Sequence, residues 1–270
     1  MRHCWKTNQK EIMKNIHCKV NKRGNISIGV FFTLIALFIL TASSQDNQNN
    51  QSKEKKQVVL FDGKSTDAWK DIATDNFPEH GWVVKDGILT VLPKTEEHDG
   101  GHDIVTNEQF SNFELELEVR LSEGANSGIK YMVIDSYPDR EGKFLGLEYQ
   151  LIDNERHPDA QLGRNGNRRM GTLYDIIPAR ESIETKPAGE WNSVKIVSDE
   201  YHVEHWLNGQ MVLSYTRNSD SYKELVRLSK YNKLENFGGQ KKGHILLQGH
   251  GNEVSFRKIK ITTWVAKNIL

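Results

Sequence analysis

FELELEVRL, Phe113 to Leu121, decides the class of the fold. Phe113, Leu115, Leu117, Val119 and Leu121 alternate with Glu114, Glu116, Glu118 and Arg120. A period of two puts one set on each side of an extended chain, so the segment reads as a half-buried strand with a wet outer face. The glutamates on that face read as solvated charge rather than as a site.

Outward from this strand, extended signals continue in both directions. WVVKDGILTV (Trp82 to Val91) and HWLNGQMVLSY (His205 to Tyr215) carry Asp86-Gly87 and Asn208-Gly209 between apolar runs. Those dipeptides suit a type I′ hairpin turn, whose two central residues both need positive φ. Further strand candidates are SGIKYMVI, GLEYQLI, GTLYDII, WNSVKIVSD, HILLQGH and EVSFRKIKI. Only SYKELVRLSKY, Ser221 to Tyr231, has a helical rhythm. Roughly a dozen strands with regular turns predict an all-β, two-sheet sandwich with one short peripheral helix.

The ends of the chain differ in kind from this body. Residues 1–25 carry seven basic side chains against Glu11, and ISIGVFFTLIALFIL, Ile26 to Leu40, is uncharged and apolar before the small residues Thr41, Ala42 and Ser43. That is the pattern of a secretory signal over 1–45, with Met13 an alternative start. The apolar run is short for a spanning helix of about 20 residues, so a cleaved signal and a periplasmic or secreted product are expected, the alternative being an uncleaved anchor. DNQNNQSKEKKQ, residues 46–57, is polar and lacks an apolar period, so it reads as a linker to a domain over 58–265. The chain without its leader holds 29 basic and 35 acidic residues, a balance that excludes nucleic acid as the expected partner. Both cysteines, Cys4 and Cys18, fall in the leader, so the domain relies on its core and not on disulfides.

GLEYQLIDNERHPDA, Gly146 to Ala160, concentrates proton-transfer chemistry. On a strand, Leu145, Leu147, Tyr149 and Leu151 share one face while Glu148 and Gln150 share the other, and Asp153, His157 and Asp159 follow at once. Asp153 also suits an Asx-turn, and His157, before a proline, suits a surface loop.

LFDGKSTDAW, ANSGIKYMV, GLEYQLIDNERHPDA, MGTLYDIIPA, KPAGEWNSVKIV, VEHWLNGQMVLSY and GHILLQGHGNEVSFRKIKI, in that order, resemble the 3-keto-disaccharide hydrolase family over Val58 to about Thr263. The resemblance implies a concanavalin A-like jelly-roll sandwich acting on glycosides whose C3 hydroxyl is already a ketone. The family usually reads LQDHG where this chain has Leu247-Gln248-Gly249-His250-Gly251, so any role of that acid is absent or moved. Glu148, Gln150 and Asp153 also resemble the E-x-D-x-x-E strand of laminarinase-type enzymes, with an amide in the middle place. A retaining glycosidase needs two carboxyls about 5 to 5.5 Å apart, and that amide disfavours such chemistry.

A ketone at C3 makes the C2 hydrogen removable, so elimination followed by rehydration can replace ordinary glycoside hydrolysis. Such a path needs a base near C2, donors to the enolate oxygen and an acid for the leaving oxygen. Glu148 or His157 is the candidate base. Gln150, Lys230 and His250 are candidate donors, Tyr174 or Asp175 would handle the leaving group, and Asn126, Asp153 and Gln248 would touch sugar. Each has a structural alternative: Lys230 as a helix C-terminal cation, His250 as part of the last hairpin, Tyr174 and Asp175 as members of a strand. Asn126-Ser127-Gly128 reads as a turn into a strand that needs its glycine, and Lys130 as an exposed lysine, the alternative being that it points into the cleft. HDGGHD, His98 to Asp103, has ligand-type residues without rigid spacing, so no metal ligand is assigned and no cofactor expected, a divalent ion being the alternative. His202 and His205, three apart, fall on opposite faces. The expected partner is a small 3-keto-glycoside, with no protein partner and no membrane span in the mature form. A noncatalytic lectin-like module and a glucanase-like hydrolase are the other readings.

Overall fold

The computed structural model describes residues 54–137 and 140–265, all within one unit, Ser52–Leu270. The leader and residues 46–53 of the expected linker lie outside the described residues. Two antiparallel sheets form, as the strand patterns predict.

The larger sheet runs β11 (Gln210–Thr216), β10 (His202–Leu207), β9 (Trp191–Asp199), β6 (Phe113–Leu121), β13 (Val254–Val265), β4 (Ile88–Val91) and β3 (Trp82–Lys85), with β1 (Glu54–Phe61) also paired to β13. Strand β13 serves two partners on one side: Val254 to Phe256 pair β4, and Ile259 to Val265 pair β1. Between them the register shifts at a bulge where Lys258 takes φ 54°. The smaller sheet runs β2 (Trp69–Asp71), β5 (Ile104–Thr106), β12 (His244–Leu247), β7 (Asn126–Tyr137) and β8 (Arg140–Ile152).

Strand β6 behaves as its alternation requires. Its five apolar residues are buried, and Glu116 and Glu118 pair Lys260, Arg257 and Lys258 on the half-exposed outer face. Each fully buried residue of that size is worth about 1.5–3 kcal/mol. Both hairpin turns form as expected, with positive φ at Asp86, Gly87, Asn208 and Gly209.

Four expectations need correction. Strand β1 begins at Glu54, so Glu54 to Gln57 are not linker: they are polar because they pair the edge of β13 in solvent, and backbone pairing does not require apolar side chains. GTLYDII is not a strand. Gly171 and Asp175 take positive φ, 83° and 61°, and break the run, leaving single bridges from Leu173 to Tyr149 and Ile177. The helix, α1, covers Asp220–Arg227 and stops short of Tyr231, since the Ser229 hydroxyl donates to the Val226 carbonyl and the Lys230 N–H donates to Asp175 Oδ2 instead of a helix carbonyl. Gly128 lies inside β7 and not in a turn; its role is space, because a Cβ there would stand 2.7 Å from Glu148 Oε1.

Between the sheets sits one buried polar cluster. His205 Nδ1 lies 3.0 Å from the Gly171 carbonyl and Nε2 lies 2.8 Å from the Tyr131 hydroxyl, which is 2.7 Å from that of Tyr215. A carbonyl can only accept, so Nδ1 carries the ring proton and Nε2 accepts from Tyr131. Burial lowers the His205 pKa to about 4. His202, on the other face of β10, is exposed, as the spacing predicts. Among the described residues no helix is long and apolar enough to cross a membrane.

Candidate functional site

The pleat of β8 puts Leu147, Tyr149 and Leu151 into the core and turns Glu148 and Gln150 to the other face of the five-stranded sheet. That face is covered: Glu148 is 7% exposed and Gln150 0%. Register assembles the rest. Lys130 pairs across from Glu148, Gly128 from Gln150, and Leu246 of β12 from Lys130. The Gln248 N–H donates to the Gly128 carbonyl, and the Asp103 carboxylate, just before β5, accepts from the Gly249 N–H at 3.0 Å. Asp103, Gln248, Gly128 and Gln150 thus form one row across the sheet, beside the row of Lys130 and Glu148.

Glu148 is buried without a fixed charge partner; no described cation comes within ion-pair distance of it. Burial raises its pKa above the usual carboxyl range; Lys130 and Lys230 oppose that rise, Asp103 adds to it, and His250 opposes it. The Gln150 amide donates to Asn126 Oδ1 at 3.3 Å; turned over, its NH2 reaches Ser127 O at 2.9 Å and Glu148 Oε1 at 3.2 Å. A carboxyl so placed holds a proton more firmly than a solvated one and is a stronger base once ionised.

A second group comes from loops. Asp159 accepts from the Tyr174 hydroxyl at 2.8 Å and from Arg168 at 2.8 Å; Arg168 also reaches Asp175 Oδ1 at 2.8 Å, and Asp175 Oδ2 accepts from the Lys230 N–H at 2.7 Å. The left-handed turn at Asp175 makes this chain of contacts feasible, since it aims the side chain back toward Arg168 and Lys230. Against the burial that would raise it, Tyr174 and Arg168 hold the Asp159 carboxyl below its usual range. Burial and then Asp159 raise the Tyr174 phenol, which keeps its proton and donates it in a hydrogen bond to Asp159. Lys230 Nζ lies 4.1 Å from the Tyr174 ring centre. Lys230 is exposed as a residue, yet burial of its ammonium lowers the pKa, ahead of the opposing pull of Glu148.

The structure therefore gathers Glu148, Gln150, Asn126, Gln248, Lys230, Tyr174, Asp175 and, by charge, His250. It does not bring Asp153 or His157 to them. Asp153 accepts from the N–H groups of Gly124, Glu155 and Arg156 and pairs the Arg156 guanidinium, an Asx-type turn with no capacity left over. His157 caps the 3-10 turn Pro158–Gln161 by accepting from the Asp159 N–H, and meets the cluster only through Asp159.

Asp103 and Arg168 are not among the sequence candidates, and Lys130 is one only as the alternative to an exposed lysine. Asp103 lay in the HDGGHD loop; its companions there are used locally, Asp99 on Lys94 and His98 on the Gly100 N–H. Lys130 is on the face of Gly128, readable from alternation alone. Arg168 had no signal in the sequence, since only the loop's path brings it home. Among the described residues no group of three or more His, Cys, Asp or Glu is placed to hold a metal ion. The tryptophans serve elsewhere: Trp69 and Trp82 in the core, Trp191 against Arg120 and Arg257, and Trp206 under Lys195.

Comparison with known proteins gives the same region a context. Residues 56–262 match the 3-keto-alpha-glucoside-1,2-lyase-like domain. A 3-keto-disaccharide hydrolase of Bacteroides thetaiotaomicron is 34% identical over 244 residues, covering 82% of this chain and 83% of that protein. Two crystal structures from Parabacteroides distasonis, each described as a candidate glycosyl hydrolase, superpose with TM-scores of 0.65 and 0.58 at 29% and 25% identity. They cover 76% of this chain and 92% and 98% of their own.

Proposed function

Because the chain belongs to the 3-keto-alpha-glucoside-1,2-lyase-like family, and resembles a 3-keto-disaccharide hydrolase over most of its length, we propose that it cleaves glycosidic bonds of 3-keto-sugars by elimination and rehydration with Glu148 as the base. The observation that carries this reading is the buried Glu148 carboxyl, raised in pKa and without an ion pair among the described residues, on a face lined with donors. The domain over 58–265, with the addition of the β1 residues from Glu54, is the working unit. Export to the periplasm or beyond belongs to the same proposal, since the leader has the composition of a signal.

The Glu148 carboxylate takes the proton from C2, and the C–H electron pair forms the C2–C3 double bond as the C3 carbonyl oxygen becomes an enolate. The pair then returns: the carbonyl reforms, the C1–C2 double bond forms, and the C1–O bond breaks, its oxygen leaving with the electron pair and a proton from Lys230. Water adds its hydroxyl to C1 while Glu148, its proton having exchanged with solvent after the leaving group departs, returns a proton to C2, and the Lys230 amine takes up the remaining proton. The sum is hydrolysis.

The groups fit those tasks. The Gln150 amide and His250 can donate to the enolate oxygen, a contact whose loss typically costs about 3–4 kcal/mol. Lys230, with its lowered pKa, gives up a proton more readily than a solvated lysine, and Tyr174 holds its ammonium in place. Tyr174 and Asp175 are themselves committed to Asp159, Arg168 and the Lys230 backbone, so they support the acid and do not replace it. Asn126 and Gln248 line the same face and would meet sugar hydroxyls.

The test is turnover of a 3-keto-glucoside and its unoxidised parent by the full chain in heavy water. Release from the oxidised substrate alone, with deuterium at C2 of the product, is expected. Release from the parent would point to ordinary glycosidase chemistry, and unlabelled product together with an unchanged rate for substrate deuterated at C2 would overturn the elimination.

A further inference from the structure

The two lysines that flank Glu148 are held differently. Lys130 is only 13% exposed in its side chain and its Nζ lies 3.5 Å from Asp103 Oδ2; Lys230 has no carboxylate at ion-pair distance among the described residues and rests on an aromatic ring. A cation held by a carboxylate keeps its place, whereas burial of the Lys230 ammonium against a ring eases the release of its proton.

Asp103 is itself fixed. Its Oδ1 accepts from the Gly249 N–H, and the strand that begins at Ile104 pairs β12 immediately after it. The loop before it closes on Gly249, where a Cβ would stand 2.0 Å from the Gly101 carbonyl oxygen and 2.8 Å from the His102 carbonyl carbon. No side chain at position 249 could coexist with that approach. The glycine therefore lets the loop descend, and the loop delivers the Asp103 carboxylate to the row that also contains Gly128 and Gln150.

We propose that Asp103 is a positioning residue that anchors the Lys130 ammonium beside Glu148, where Lys130 stabilises the oxygen that gains negative charge when Glu148 removes the substrate proton. This rests on the reading of Glu148 as the base. It divides the work between the lysines: Lys130 is the permanent cation and Lys230 the proton carrier. Asp103 acts through Lys130 and touches no reacting atom.

The experiment is a double-mutant cycle of Asp103→Asn and Lys130→Met in the full chain, with kcat, KM and the pH dependence of kcat/KM for the 3-keto-glucoside. Asparagine keeps an oxygen for the Gly249 N–H, so folding is preserved, and a thermal melt checks it. Asp103→Asn is expected to lower kcat about tenfold or more with KM changed less than about threefold. Lys130→Met is expected to lower it further, and Asp103→Asn to cost less than about twofold when added to Lys130→Met.

The pH profile supplies a signature that a structural role would not move. Asp103 helps raise Glu148, so its neutralisation moves the acid limb to lower pH; loss of Lys130 moves that limb to higher pH. Lys130→Arg, which keeps the cation, is expected to retain more rate than Lys130→Met even if Asp103→Asn proves unstable. Additive losses in the cycle, or a wild-type kcat in Asp103→Asn, overturn the proposal. If Glu148→Gln is inactive while Asp103→Asn is wild type, this inference alone fails; if Glu148→Gln is fully active, the reading beneath it fails too.

Discussion

Strand β8 carries a buried polar cluster on each face, and the two are built on opposite terms. Toward the core, Tyr149 donates to the Trp206 carbonyl, and His205, Tyr131 and Tyr215 form a closed chain ending on the Gly171 carbonyl. Every proton there has a fixed recipient. On the far face, Glu148 has only a weak amide contact within reach and meets its cations at a distance. Buried polar groups with complete partners rigidify a fold, while those left short of partners are costly and available for chemistry. The first cluster therefore fixes the sandwich, and the second is where a substrate can add what is missing.

The sharpest test of that contrast is Glu148→Gln. Removal of a general base typically costs 10²- to 10⁴-fold in rate, and a fall in kcat of about that size is expected. Stability should move the other way. Because the folded pKa of Glu148 is raised, its favourable contribution is present at low pH and is lost as pH rises through that pKa, so the carboxylate burdens the fold at neutral pH. The glutamine variant should melt higher than wild type at neutral pH, with the gap closing in acid. A lower melting point at neutral pH would show that Glu148 is a structural acid.

The core face answers to pH in the reverse sense. His205 has a folded pKa of about 4 against an unfolded value of about 6.5, so its contribution is whole above the unfolded value and is lost as pH falls toward 4. That loss amounts to roughly 3 kcal/mol once both states are protonated. Denaturant midpoints measured from pH 7 to pH 4 should fall, and His205→Asn should flatten the slope even though it lowers the plateau. A slope unchanged in that variant would mean that the histidine is not the group being titrated.

How much of this was visible in the chain depends on whether the deciding contact is local. The alternation of β6, the two type I′ turns and the opposition of Glu148 to Tyr149 all follow from a period of two or from positive φ at neighbouring residues, and all were readable. Glu148, Gln150 and Asn126 came together because β7 and β8 are consecutive strands. Asp103 did not, because β5 reaches that row only through β12, a strand nearly 140 residues later in the chain. GTLYDII looked extended because its residue types favour strands, and nothing in them shows that Asp175 adopts a left-handed turn held by Arg168 and the Lys230 N–H. The helical rhythm of the sequence runs through Lys230, whereas the helix itself ends before it, where Ser229 bonds back to Val226.

Gly128→Ala asks the finest question of the comparison, because it touches the far face and nothing else. An added methyl would stand 2.7 Å from Glu148 Oε1 and 2.9 Å from its Cγ, so something must yield. The yielding atoms are those at the end of a flexible side chain, not the backbone of β7. The sheet therefore keeps its register, and alanine even lowers the entropy cost that glycine brings to a strand interior. What moves is the carboxylate, and a displacement near 1 Å at a reacting group can cost up to about 10²-fold in rate. The variant should fold with a stability within about 1 kcal/mol of wild type while kcat falls roughly 10- to 100-fold. Equal activity in the two proteins would mean that Glu148 tolerates being moved, which a base aimed at a single carbon–hydrogen bond cannot do.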